Sequence, residues 1–309
     1  MAPDGADELA AVIVNYNVRD HLLACGRSLR DEGVRDVVVV DNDSIDGSGP
    51  ALAAADPDAR FIPAGANLGF GRAANRGVAA TAASLVLILN PDAVVEPGYV
   101  KTLLAALDED EGLAVVGPRV DNPDGTRYPS VRRFPDLGMA AGHAFLGLVR
   151  PGNRFTRRYR MLDREPNRAG PVDWVSGTCM LVRRPAFDAV GGFDEAYFMY
   201  VEDVDLCWRL QRAGWRVAYE PGARVVHTVG ASSERAPYRM IAAHHRSLLR
   251  FAVRSTTGPR RALLPLVAAG LGVRTLLAWV HRAWRGVPHA VVGGAERRRP
   301  RGGPGGRVR

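Results

Sequence analysis

The chain predicts an α/β fold: a parallel sheet covered by helices on both faces. Short, continuous apolar runs recur through its first half, stretches of helical character separate them, and each run stops at a polar turn. An apolar run without alternation suits a strand buried on both sides, as in a parallel sheet between two helical layers. Ligands of such sheets bind beyond the carboxyl ends of the strands, so the polar turns are where a site is sought.

The first run, Ala10 to Asn15, ends in an Asn-Tyr-Asn turn, and a helix through His21 to Leu29 is expected after it. Val37 to Val40 is continuously β-branched and stops at Asp41, with Asp43, Ser44, Asp46 and Gly47 forming the next turn. A third run, Arg60 to Pro63, leads into Asn67-Leu68-Gly69-Phe70-Gly71 and a helix through Arg72 to Ala80. The fourth, Leu85 to Leu89, stops at Asn90-Pro91-Asp92. Asn15, Asp41, Asn67 and Asp92 therefore all fall at the carboxyl edge. Much later, Glu202, Asp203 and Asp205 place three carboxylates in four residues at the head of an amphipathic helix. Leu206, Leu210 and Ala213 continue it at helical spacing and Gly214 stops it.

With 309 residues, 47% hydrophobic and 24% charged, the chain buries a substantial core without staples. Cys25, Cys179 and Cys207 are an odd number at long spacings, which argues against a disulfide framework or a zinc site and for a reducing setting. The acidic, short apolar start does not read as a signal peptide. Charge is uneven: residues 230–309 carry 16 Arg against 2 Glu, a net +14, which leaves −6 on the rest. Such a tail suits nucleic acid or an anionic membrane face. The apolar Ala262 to Val280 segment, flanked by Arg260, Arg261, Arg282 and Arg285 with Trp279 and Trp284, favours the membrane and no nucleic acid. Pro265, Gly270, Gly272 and Arg274 interrupt it, so it reads as a shallowly inserted helix; a packed helix and a true span are the other readings.

Seven ordered pieces carry a family resemblance. Val12-Ile13-Val14-Asn15-Tyr16-Asn17, the Asp41 to Ser48 turn, Asn67 to Asn75 and Leu89-Asn90-Pro91-Asp92 come first. Gly177 to Arg184, Gly191-Gly192-Phe193-Asp194-Glu195 and Glu202 to Asp205 follow. Together, across roughly residues 9–230, they resemble family 2 inverting glycosyltransferases of the GT-A fold. That fold is Rossmann-like, with a mixed, mainly parallel sheet between helices. The finer pattern, including Asn90 for the first acid and the Ala243-His244-His245-Arg246-Ser247 segment, resembles rhamnosyltransferases acting on polyprenyl-diphosphate-linked N-acetylglucosamine. The resemblance implies a catalytic domain over 1–230, a helical membrane-associating region over 231–290 and a basic disordered tail over 291–309.

It also implies roles. A carboxylate at a strand end accepts from the imide N–H of uracil or thymine, which cytosine and adenine lack. Asp41 resembles the family's residue for that task; turn capping is its other reading. Asn15, Tyr16, Asn67 and Asn90 complete the expected donor site, and Arg72 is expected on the diphosphate or, alternatively, in solvent. Asn90-Pro91-Asp92 looks like the family's DXD element, where Mg²⁺ or Mn²⁺ on hard oxygen ligands would bridge a leaving diphosphate. Asp92 is the expected direct ligand and His227 a third, or else a structural histidine.

Inverting transfer is a direct displacement that needs one base on the acceptor side. The three clustered acids fan out by roughly 100° per residue as they enter the helix, so one of them serves. Resemblance selects Asp203 as base, Glu202 for an acceptor hydroxyl and Asp205 for the helix or nearby loops. Trp174 either stacks on the acceptor sugar or belongs to the core. Residues 143–170, with Arg150, Arg154, Arg157, Arg158 and Arg160, read as a flap over acceptor or lipid headgroups, or as a solvated connector. His244 and His245 either meet the acceptor diphosphate or form a polar helix face. The implied activity is transfer of a hexose, L-rhamnose from a dTDP- or UDP-sugar donor, to a lipid-linked sugar acceptor. It would take place peripherally on the cytoplasmic face of an anionic cell membrane. A non-catalytic nucleotide-binding or scaffolding protein on a degenerate GT-A fold is the competing class.

Overall fold

The structure is a computed structural model that describes residues 8–146, 150, 152–163, 165, 167–228 and 237–286. The predicted alternation is present as β1 (Leu9–Asn15), α1 (Arg19–Asp31), β2 (Asp36–Asp41), α2 (Ser48–Ala55), β3 (Arg60–Pro63), α3 (Phe70–Ala79) and β4 (Leu85–Leu89). It continues through β5 (Ala93–Val95), α4 (Tyr99–Asp108), β6 (Leu113–Asp121), β7 (Arg127–Tyr128) and β8 (Val131–Arg132). Helix α5 (Leu137–Ala141) widens into a π turn over Gly142–Leu146, and α6 (Arg154–Tyr159) precedes β9 (Gly170–Pro171), β10 (Trp174–Val175) and β11 (Cys179–Arg183). Helices α7 (Arg184–Ala189) and α8 (Glu202–Arg212) lead to β12 (Arg216–His227). Helix α9 (Pro237–Ser255), a 3₁₀ turn over Gly258–Leu263 and α10 (Leu264–Gly286) come last.

The sheet order is β3-β2-β1-β4-β11-β6-β12-β5, with β7 beside β6 and β9 beside β12. Strands β3, β2, β1 and β4 are mutually parallel, as the continuous apolar runs require. Strand β11 runs antiparallel to both β4 and β6, and β5 antiparallel to β12, so the sheet is mixed. Successive side chains of β1 go to opposite faces. Val12 and Val14 join the layer of α3, α7 and α8, and Ala11 and Ile13 that of α1, α2 and α4. Helix α3 lies directly on the sheet at Gly77, where a Cβ would meet Val12 Cγ1 at 2.3 Å. The three cysteines are free and buried, and burial pushes the Cys179 and Cys207 thiols up to about 12.

Helix α9 packs into the same core as the sheet. Phe251 is buried in that core and packs edge-on against Trp208 of α8. Arg250 and Arg254 clasp Asp194 at 2.8 and 2.6 Å. Helix α10 rests on α9 through the Thr275–His245 hydrogen bond of 2.8 Å and the Trp279 indole N–H, which donates to the Tyr238 carbonyl at 3.1 Å. Its remaining surface leaves Leu266, Leu276, Val280 and Trp284 exposed. Gly258–Trp284, with a mean hydropathy of 1.8, is long and apolar enough by composition to cross a membrane. The expected boundary near residue 230 and the tail over 291–309 lie outside the described residues.

Candidate active site

A cleft of about 740 Å³ opens where the carboxyl ends of β1 and β4 meet the loop before α8, the end of β12 and the first turns of α9. Tyr16, Asn67, Asn90, Asp92, Trp174, Glu202, Asp203 and His227 all line it. Strand direction brings them together. Because β11 runs against β4, Thr178 lies beside Asn90, whose N–H donates to the Thr178 carbonyl at 2.9 Å. Because β5 runs against β12 with Ala93 opposite His227, Asp92 meets the end of β12.

Asp92 Oδ1 and His227 Nε2 are 3.0 Å apart, both side chains are buried, and the Asn90 amide nitrogen is 3.3 Å from the same ring nitrogen. His227 Nδ1 is buried without a partner. Among the described residues no three His, Cys, Asp or Glu side chains gather so as to hold a metal ion. The centre is therefore an acid–imidazole pair with an amide beside it.

The donor-side residues divide. Asp41 Oδ1 accepts from Asn15 Nδ2 at 2.7 Å and the Ser44 hydroxyl at 2.6 Å, and its Oδ2 accepts from the Ser44 N–H at 2.9 Å. Asp41 thus caps its own turn, and it sits with Asn15 behind the cleft wall. Tyr16 and Asn42 present themselves to the cleft from that corner. The sequence reading missed Asn42, which braces the next loop by donating to the Gly69 carbonyl at 3.2 Å. Gly69 has φ +84°, and a Cβ there would strike the Phe198 carbonyl. Arg72, expected on a diphosphate, instead pairs with Glu195 at 2.9 Å, half exposed and off the cleft wall. Its place on α3 turns it toward the Gly192–Glu195 loop.

The head of α8 is built on a strained turn. Tyr200 and Val201 take φ +66° and +70°, and a β-branched residue there costs roughly 1–3 kcal/mol. Neighbours hold the turn: the Phe70 N–H donates to the Phe198 carbonyl at 3.1 Å, and the Ser247 hydroxyl donates to the Met199 carbonyl at 3.0 Å. Tyr200 also packs on His244 with ring centroids 5.2 Å apart. Asp203 follows, its Oδ2 accepting from the Gly177 N–H and its Oδ1 from the Val204 N–H, both at 2.8 Å.

Burial pushes the Asp203 carboxyl above its ordinary range, opposed by those two amides and by the Arg132 guanidinium. Glu202 is raised well above its own range, first by burial and then by the charge of Asp203 beside it. Its Oε2 is buried and unpartnered. Burial thus disfavours charge on both carboxyls, and more strongly on Glu202. Asp205 is structural, fully buried against Arg209 at 2.6 Å and reached by Arg254 of α9 at 3.4 Å.

Trp174 is a core ring, 4% exposed, with its indole N–H donating to the Arg133 carbonyl at 3.0 Å. The Arg132 guanidinium lies 5.1 Å over the indole and 5.6 Å over the Tyr159 ring. The sequence reading overlooked Arg132, a cleft residue in a two-residue strand without a motif. Of the Arg-rich segment, α6 exposes Arg154, Arg157 and Arg158 and sets Tyr159 into the cleft wall. His244 lines the cleft, whereas His245 is turned to α10.

Comparison with known proteins agrees with this geometry. The family model described as Glycosyl transferase family 2 matches residues 10–191. An N-acetylglucosaminyl-diphospho-decaprenol L-rhamnosyltransferase of Mycobacterium tuberculosis is 41% identical over 84% of this chain and 88% of its own. The hexosyltransferase Agl10 of low-salt glycan biosynthesis in Haloferax volcanii is 26% identical over 67% of this chain and 62% of its own. Among solved structures, the mannosyltransferase PcManGT of Pyrobaculum calidifontis, in complex with GDP-Man and Mn2+, aligns with a TM-score of 0.54 and 17% identity. The alignment covers 91% of this chain and 76% of that one and speaks to the fold. By its matched segment, its relatives and the architecture of its cleft, the chain belongs to glycosyl transferase family 2.

Proposed function

We propose that the protein is an inverting, metal-assisted hexosyltransferase that moves L-rhamnose from dTDP-rhamnose to a sugar carried on a polyprenyl diphosphate. The observation that carries this reading is the place of Asp203, at the strained head of α8 in the same cleft as the Asp92–His227 pair. The mycobacterial relative, covered over most of its length, supports the choice of donor sugar and lipid-linked acceptor.

In this reading the acceptor hydroxyl gives its proton to Asp203 as its oxygen attacks the anomeric carbon, and the nucleotide diphosphate leaves from the opposite side. Glu202, protonated, holds a neighbouring acceptor hydroxyl, which gives its unpartnered oxygen a donor. Asp41 would brace, from behind the cleft wall, the corner from which Tyr16 and Asn42 would meet the base. Asp92 and His227 would hold Mg²⁺ or Mn²⁺ with Asn90 beside them, and the donor set fits: a hard oxygen and an imidazole nitrogen converge within 3.0 Å. Such an ion would neutralise charge on the departing diphosphate. The exposed apolar flank of α10, with Trp284 and the arginines around it, would lie on the cytoplasmic face of an anionic membrane.

The test is a panel of nucleotide sugars against farnesyl-diphospho-N-acetylglucosamine with and without Mn²⁺, with product configuration read by NMR. Transfer from dTDP-rhamnose with inversion is expected. Tight nucleotide binding with no turnover for any pair would instead assign a binding or scaffolding role.

A further inference from the structure

Two guanidinium groups that line the cleft have no ligand in the chemistry above. Arg132 stands between the Trp174 and Tyr159 rings, with its Nε donating to the Pro129 carbonyl at 3.1 Å. Among the described residues it makes no ion pair with a carboxylate. Arg239, in the first turn of α9, lines the same cleft, is exposed and likewise has no carboxylate partner among them. A half-buried cation held by aromatic faces is costly unless an anion arrives to pair with it. Arginine's planar fork matches phosphate oxygens in particular.

The surroundings define where that anion belongs. Tyr238, next to Arg239, packs its ring edge-on against Trp279 of α10 at 6.4 Å. One turn of α9 thus joins the cleft rim to α10, whose Leu276, Leu277 and Val280 are exposed. Asp203 and the two arginines share one cleft, and the apolar flank adjoins Arg239 through Tyr238. We propose that Arg132 and Arg239 form the subsite for the acceptor's diphosphate, setting its sugar at Asp203 while the isoprenoid leaves along α10. The proposal rests on the lipid-linked acceptor reading and adds the residues that recognise its charged part.

The experiment compares wild type, Arg132→Gln and Arg239→Gln. Calorimetry measures binding of farnesyl diphosphate and, separately, of dTDP. Kinetics compare KM for farnesyl-diphospho-N-acetylglucosamine and for the uncharged octyl N-acetylglucosaminide. Each substitution is expected to weaken farnesyl diphosphate roughly tenfold or more, the loss typical of one charge-assisted contact. Binding of dTDP should stay unchanged in both variants, and KM for the uncharged acceptor should stay unchanged in Arg239→Gln. Unchanged dTDP binding also reports an intact fold, and Arg239 is exposed enough that its variant will fold if Arg132→Gln does not. Variants that bind farnesyl diphosphate like wild type, or that lose dTDP in parallel, would overturn the subsite. A wild type that binds farnesyl diphosphate through both arginines yet transfers to no lipid-linked sugar would sink the proposed activity and leave the subsite standing.

Discussion

Replacing Glu202 with glutamine isolates the buried carboxyl beside the base. Its Oε2 is buried without a partner, and burial and the Asp203 charge both raise its carboxyl well above the ordinary range. The native protein therefore holds a proton that the unfolded chain has released once pH exceeds about 4.3. With more protons bound to the native state, stability falls as pH rises, by at most about 1.4 kcal/mol per unit from this group, until the folded carboxyl itself ionises. Glutamine keeps the shape of the protonated acid and removes that slope. Glu202→Gln should therefore gain on wild type as pH rises above the ordinary carboxylate range, the gap in melting temperature widening by roughly 2–4 °C for each kcal/mol. Urea midpoints taken at each pH give the same quantity independently. Parallel stability curves for the two proteins would refute the raised Glu202 carboxyl.

Three further outcomes follow from the same site. Arg132→Gln removes a cation that lowers the Asp203 carboxyl, so the acid limb of kcat/KM should move to higher pH; an unmoved limb would deny the electrostatic link. Asp92→Ala or His227→Ala should weaken Mn²⁺-dependent binding of dTDP at least about tenfold, since even outer-shell partners of metals cost that much, and an unchanged Mn²⁺ response would remove the pair from the metal site. Truncation after Gly258 should abolish sedimentation with phosphatidylglycerol vesicles while dTDP binding persists, and retained sedimentation would place membrane contact elsewhere than α10.

What could be read in the sequence follows from how local each cause is. Strands β1 to β4 were legible because continuous apolar runs bounded by polar turns admit few other structures, and the turns at Asn15, Asp41 and Asn90 fall at the ends of β1, β2 and β4. The head of α8 was legible from its carboxylates, but its strained Tyr200–Val201 entry was not, because neighbours far along the chain impose it. Strand β11 has the same apolar character as its parallel neighbours, and its reversed direction comes only from its partners. The pairing of Arg72 with Glu195 spans 123 residues, so no local pattern announces it. Asp92 and His227 meet through the β5–β12 register, which resemblance anticipated and local pattern could not. Arg132 carries no motif; its meaning lies in the two rings that hold it.

The central claim is that Asp203 is the base. Asp203→Asn preserves the shape of the side chain at the head of α8 and abolishes its capacity to take the acceptor proton. Transfer from dTDP-rhamnose to farnesyl-diphospho-N-acetylglucosamine, measured beside dTDP binding, should fall by roughly two or more orders of magnitude, with dTDP affinity held. Transfer at a near wild-type rate would contradict the account.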